Sequence, residues 1–231
     1  MKVNPGKDAA FHTAMKDDLR LLRYEVKSGK LSGAIALRAV VPEGSKATCD
    51  YSFVDFYPGL PPEPQSEAEL TADLQKAGVD KTADQFMEEL EAGATLVTTS
   101  IDHAVVGVGE TKKGDYVVVN SMRVPDMGAW VRNEKKMWQP IFEDGVKSGA
   151  MAGWVVVARF MPRGAKDADI AYTVDIYPNW QSLFTFFGPD FPNRWKKIHP
   201  DVPMAEGMAQ EHKMDTIEHT VLYKVVADVQ K

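Results

Sequence analysis

The sequence holds a single cysteine, Cys49. One thiol excludes an internal disulfide and any multi-cysteine zinc or iron-sulfur centre, and it leaves the compartment open. No apolar run reaches the roughly 18 residues that a membrane-spanning helix requires. The first residues, Met1-Lys2-Val3-Asn4-Pro5, carry no signal-peptide hydrophobic region. The expectation is a soluble chain, either cytoplasmic or secreted after loss of a signal. Basic runs are also missing: Lys135-Lys136 and Lys196-Lys197 are only pairs, and the formal net charge is −6. A nucleic-acid partner is therefore not expected, because nonspecific affinity for phosphate backbones comes from clustered Lys and Arg. No phosphate-binding glycine loop, serine nucleophile elbow or His-Glu-x-x-His helix occurs.

What the 231 residues do offer is enough apolar content, 44%, to bury a real core, together with an internal repeat. Residues 26–58 align without a gap to residues 146–178, and 12 of the 33 positions are identical. Chance supplies about two at ordinary residue frequencies. The shared residues include Gly29/Gly149, Gly33/Gly153, Pro42/Pro162, Lys46/Lys166, Asp55/Asp175, Tyr57/Tyr177 and Pro58/Pro178. A second echo sets residues 101–105 against 217–221.

The repeated residues read as a helix end, a strand, a turn and a strand. Gly29 and Gly149 suit the left-handed position just past a helix. Residues 34–41 and 154–161 are apolar on both phases, as in a strand covered on both faces. The turns follow at 42–44 and 162–164, and strands over 50–57 and 169–177 stop at Pro58 and Pro178. Phe11, Met15, Leu19, Leu22 and Val26 form one helical stripe ahead of the first block; Trp130, Met137, Trp138, Ile141 and Phe142 do so ahead of the second. Pro140 inside that stripe predicts a kink or a late helix start. Ser66 with Glu69 and Thr82 with Gln85 have capping-box spacing, with Gly78 and Gly93 as stops. Helical patterns also cover 179–187 and 204–214, on either side of a proline-rich link. Strands over 95–108 and 216–228 close the two copies.

With a strand at 116–124 the second copy reads β-α-β-β-α-β, the split ferredoxin-like unit. The first copy keeps only Met1–Val3 of its opening strand, so the natural precursor is suspected to start earlier. The expected fold class is α+β: two ferredoxin-like repeats fused in tandem, 1–110 and 111–231, forming one structural unit. In this order of elements the chain resembles the dimeric α/β-barrel superfamily, including antibiotic-biosynthesis monooxygenase-like and NIPSNAP-like proteins. The resemblance implies two sheets packed face to face as a barrel. It also implies functions ranging from haem chemistry and cofactor-free oxygenation to plain ligand binding.

For small haem-degrading members the resemblance implies an Asn on the first strand, an aromatic at the end of the third strand and a His on the second helix. The matching residues are Asn120 in VVVNSM, Tyr177 or Trp180 in DIYPNW, and His212 in MAQEHKMD, with Tyr177 standing where those members have Trp. Haem would then be the cofactor and His212 its iron ligand; otherwise no metal is expected. The other reading of His212 is a surface residue beside solvated Glu211 and Lys213.

From the residues themselves, Asp175 and Tyr177 alternate with Val174 and Ile176, so they share the sheet face opposite the aliphatic set. In a barrel that face looks inward or toward the partner sheet. An inward Asp175 offers a general base toward an acidic carbon or a phenol; alternatively the repeated pair bonds across the seam between copies. His103 and His219 recur in both copies and read as half-buried strand residues satisfied by one hydrogen bond. Trp180, Phe184, Phe186, Phe187, Phe191 and Trp195 form an aromatic cluster present only in the second copy. Trp180, Phe184 and Phe187 are candidate ligand-binding residues at a pocket mouth for a small hydrophobic or aromatic molecule. The alternatives are a local core or a homo-oligomer interface. The functional expectation is a small-molecule-binding protein with its pocket in the second copy; the alternatives are a haem-dependent or cofactor-independent monooxygenase-like enzyme and an oligomeric interaction module.

Overall fold

The computed structural model describes residues 1–42, 47–162 and 169–230. Most of the turns expected at 42–44 and 162–164 therefore lies outside the described residues, as do the paired Lys46 and Lys166. Helices and antiparallel strands divide between two compact units: Met1–Thr99 with the residues from Val226 onward, and Ser100–Val225.

The first unit contains β1 (Lys2–Val3), α1 (Asp8–Ser28), β2 (Gly33–Val41), β3 (Tyr51–Phe56), α2 (Glu67–Lys76), α3 (Ala83–Gly93) and β4 (Ala94–Thr95). The helical stripe of α1 buries Phe11, Leu22 and Val26. Val26 packs with Leu31, Ala34 and Val229, and Phe11 with Tyr51 and Ala94. Both anticipated capping boxes form: Ser66 and Glu69 satisfy each other's orphan amides at the start of α2, as Thr82 and Gln85 do on α3. The two-residue strand β1 pairs with β4.

The second unit contains β5 (Ile101–Gly109), β6 (Tyr116–Arg123), α4 (Met127–Asn133), a π turn (Glu134–Trp138), α5 (Gln139–Lys147), β7 (Gly153–Met161), β8 (Ile170–Tyr177), α6 (Trp180–Thr185), α7 (Phe191–Ile198), α8 (Met204–Glu211) and most of β9 (Thr216–Gln230). Its strands run in the order β9-β6-β8-β7-β5, antiparallel throughout. Gly29 and Gly149 both follow a helix with positive φ, 84° and 74°, where a side chain would be strained.

Two expectations change. A single strand over 95–108 does not form: β4 pairs with β1 while β5 pairs with β7, so the residues between them leave the ladder and expose Leu96 and Val97. Asp175 and Tyr177 do not look toward another sheet. Their face of β8 carries the helices of its own unit, and Tyr177 shares a core with Trp130, Trp138, Ile141 and Phe142. The strands are apolar on both phases, so periodicity alone did not say which face the helices cover.

The kink expected at Pro140 takes the form of the π turn. The Gln139 N–H donates to the Glu134 carbonyl five residues back, and Pro140 then falls in the first turn of α5, where the widened turn has already interrupted the ladder that its ring and missing N–H would break. The extra residue in the turn rotates the chain so that Glu134, Met137 and Trp138 are all buried.

Candidate functional site

The polar groups of the second unit converge between its sheet and its helices. Asn120 on β6 stands in register with Thr173 on β8 and Thr220 on β9. Thr220 Oγ1 donates to Asn120 Oδ1 at 2.9 Å, and Asn120 Nδ2 donates to Thr173 Oγ1 at 3.1 Å and Asp175 Oδ2 at 3.3 Å. Asp175 is 8% exposed, and burial pushes its carboxyl up to about 7, against the opposing pull of the Asn120 amide. Tyr177 is held neutral by burial and by the charge of Asp175. Directly across the ladder from Asp175 lies Trp154 on β7, stacked on Phe142 at 4.7 Å. The Trp154 indole N–H is buried with no acceptor among the described residues. Asp175 and Trp154 thus lie side by side among packed rings, one a carboxyl poised near neutrality and the other a donor with no acceptor among the described residues.

A second polar group of residues lies within the same helical layer. Glu211 ends α8 and Asp215 precedes β9. Trp130 Nε1 donates to Glu211 Oε1 at 3.1 Å and to Asp215 Oδ2 at 2.9 Å, and Trp138 Nε1 donates to Glu211 Oε2 at 2.7 Å. Asn133 Nδ2 donates to that same oxygen. Glu134 from the π turn completes a trio whose ligand-capable oxygens lie within 4.8 Å of one another. Burial, then the charges of Glu211, Asp215 and Asp175, drive the Glu134 carboxyl well above its ordinary range; burial and Glu211 raise Asp215 to about 7.

The residues singled out in the sequence are only partly brought together. Asn120, Asp175 and Tyr177 share the buried face. His212 is exposed just past α8; the adjacent Glu211, expected to be solvated, is the buried one. His103 and His219 are exposed instead of half-buried, each within a run of exposed residues at the start of β5 or β9. The aromatic cluster divides: Phe186, Phe191 and Trp195 are core, while Trp180, Phe184 and Phe187 are exposed. Phe186 makes ring contact with Tyr177 and Trp180 with Tyr116, so the segment from Trp180 to Phe187 borders the site.

Glu134, Trp154, Glu211 and Asp215 were missed. The inward face of α8 is marked in the structure by Gly207, where a Cβ would fall 2.3 Å from the Trp195 ring, and Glu211 follows one turn later on the same face. The residues do not fit haem. The expected ligand His212 faces solvent, and the Asn120 amide is engaged by Thr173, Asp175 and Thr220.

No family model matches the sequence, and no curated protein matches it either. In three dimensions the chain is similar to a proposed monooxygenase from Lactobacillus acidophilus NCFM, with a TM-score of 0.62, 9% identity, and coverage of 99% of this chain and 93% of that one. It is also similar to a proposed monooxygenase from Fusobacterium nucleatum, with a TM-score of 0.61, 10% identity, and coverage of 100% and 91%. At such identities the likeness is one of fold, and the chain shares its fold with these two structures.

Proposed function

We propose that the second unit is a ferredoxin-like copy that binds a small aromatic molecule between its sheet and its helices, with Asp175 as the proton acceptor. The strand order β9-β6-β8-β7 around two helical connections supports that reading of the unit. The repeat at an offset of 120 supports a duplicated origin for the whole chain. The observation that carries the functional reading is the pairing of a buried Asp175, poised near pH 7, with the unsatisfied indole of Trp154 on the neighbouring strand.

In this proposal the ligand accepts a hydrogen bond from Trp154 and presents a phenolic O–H or an acidic C–H to Asp175. The carboxylate takes that proton and leaves a phenolate or carbanion, while Asn120 holds the carboxylate in place. The segment carrying Trp180, Phe184 and Phe187 forms the mouth, since its exposed rings adjoin those that wall the site. The fold likeness to two proposed monooxygenases makes reaction of the ligand anion with dioxygen the turnover to test.

Calorimetric titration with 1-naphthol, followed by oxygen uptake with the same compound, tests this. Binding that Asp175→Asn weakens about tenfold or more supports the reading, and oxygen uptake that the same variant abolishes extends it to catalysis. Equal affinity in both proteins removes Asp175 from the site.

A further inference from the structure

We infer that Glu134, Glu211 and Asp215 form a binding site for a hard divalent cation, which fastens the end of α8 and the start of β9 to the π turn. All three residues are buried, at 3%, 9% and 8% exposure. Glu211 is oriented by the N–H groups of Trp130, Asn133 and Trp138, and Asp215 by that of Trp130. Glu134 is different. Among the described residues no N–H reaches its carboxylate, whose polar neighbours are the other two carboxylates, that of Glu211 at hydrogen-bonding distance. The charges acting on it, from Glu211, Asp215 and Asp175, are all negative. The nearby basic residues Lys135, Lys136, His212 and Lys213 are exposed.

An acidic side chain aimed into a buried acidic cluster, with no donor of its own, calls for a positive charge between the oxygens. The donor set selects the class of ion. Three carboxylates without imidazole or thiolate suit Ca²⁺, Mn²⁺ or Mg²⁺ over Zn²⁺ or Cu²⁺. The ligand oxygens all lie within 4.8 Å of one another, close enough for one ion with metal–oxygen distances of about 2.1–2.6 Å to reach all three. Indole and amide N–H groups on the outer lone pairs of Glu211 and Asp215 are the kind of support that fixes ligand orientation around an ion. The inference does not depend on the role proposed for Asp175.

The test uses the full chain, freed of metal with a chelator and titrated with Mn²⁺ at pH 7.5 under electron paramagnetic resonance, alongside thermal unfolding with and without Ca²⁺. One bound Mn²⁺ per chain, displaced by Ca²⁺, and a melting temperature raised by Ca²⁺ are expected. Glu134→Gln should weaken Mn²⁺ binding at least about tenfold. It should also melt no lower than wild type without metal, because its amide can donate to Glu211. Asp215→Asn should weaken binding as well, and Lys213→Ala, at an exposed position, should leave it within about twofold. No bound Mn²⁺ at about 1 mM, equal binding by Glu134→Gln, or a melting temperature that responds to pH and not to Ca²⁺ would each overturn the inference. The last would make a shared proton the occupant.

Discussion

Trp154 and Asp175 face each other across the β7–β8 ladder, yet the Asp175 carboxyl accepts from the Asn120 amide while the Trp154 indole N–H has no acceptor among the described residues. A buried donor and a buried acid side by side, not joined to each other, are costly to the fold. That cost is the kind of local inconsistency that marks a working site.

The pH dependence of stability should show it. The folded-state pKa of Asp175 is raised from 3.8 to about 7, so the unfolded chain gives up this proton more readily. The contribution of this group to stability is then greatest below about pH 4, falls as pH rises through the window from 4 to 7, and levels off above it. The slope from one such group is about 1.4 kcal/mol per pH unit at most. Asp175→Asn should remove one proton's share of that slope and be the more stable protein at pH 8. Urea unfolding of both proteins from pH 4 to 8 measures this; parallel curves would contradict it.

Glu211→Ala should destabilise by about 3–5 kcal/mol, because it leaves buried N–H groups of Trp130, Asn133 and Trp138 without their acceptor. Glu211→Gln keeps one carbonyl oxygen and should lose less. Equilibrium denaturation at pH 7 ranks the two, and a loss below about 1 kcal/mol for the alanine variant would mean that water reaches these groups.

In α8, Gly207→Ala improves helix propensity by about 1 kcal/mol in isolation. Here the new methyl meets the Trp195 ring at 2.3 and 2.4 Å. The net effect should be a loss of about 1–3 kcal/mol, with Trp195 fluorescence altered as the ring is displaced.

His212→Ala should leave both stability and spectra unchanged. The imidazole is exposed, so titration with haem should give no His212-dependent Soret band, and a band abolished by the variant would reverse this assignment.

The helices were legible where their signals are local. The α1 stripe, the capping residues Ser66 and Thr82, and the glycines at 29 and 149 each act through neighbours a few positions away. Pro140 announced a disturbance but not its kind, since a kink and a π turn both satisfy a missing N–H. The site was legible only in part. Asn120, Asp175 and Tyr177 stood out by repetition or by alternation, whereas the burial of Glu211 depends on Trp130 and Trp138, more than 70 residues away in sequence. No spacing rule encodes such a contact. His212 drew attention as a chemically versatile side chain, yet the neighbour on the inward face of the helix is the one that is buried.

The claim on which the rest turns is that a ligand joins Trp154 to Asp175. Its most direct test follows the indole N–H resonance of Trp154, identified by its loss in Trp154→Phe, while 1-naphthol is added. A progressive downfield shift that is absent in Asp175→Asn is expected. A resonance that stays fixed while naphthol binds elsewhere, or moves equally in the variant, contradicts the claim.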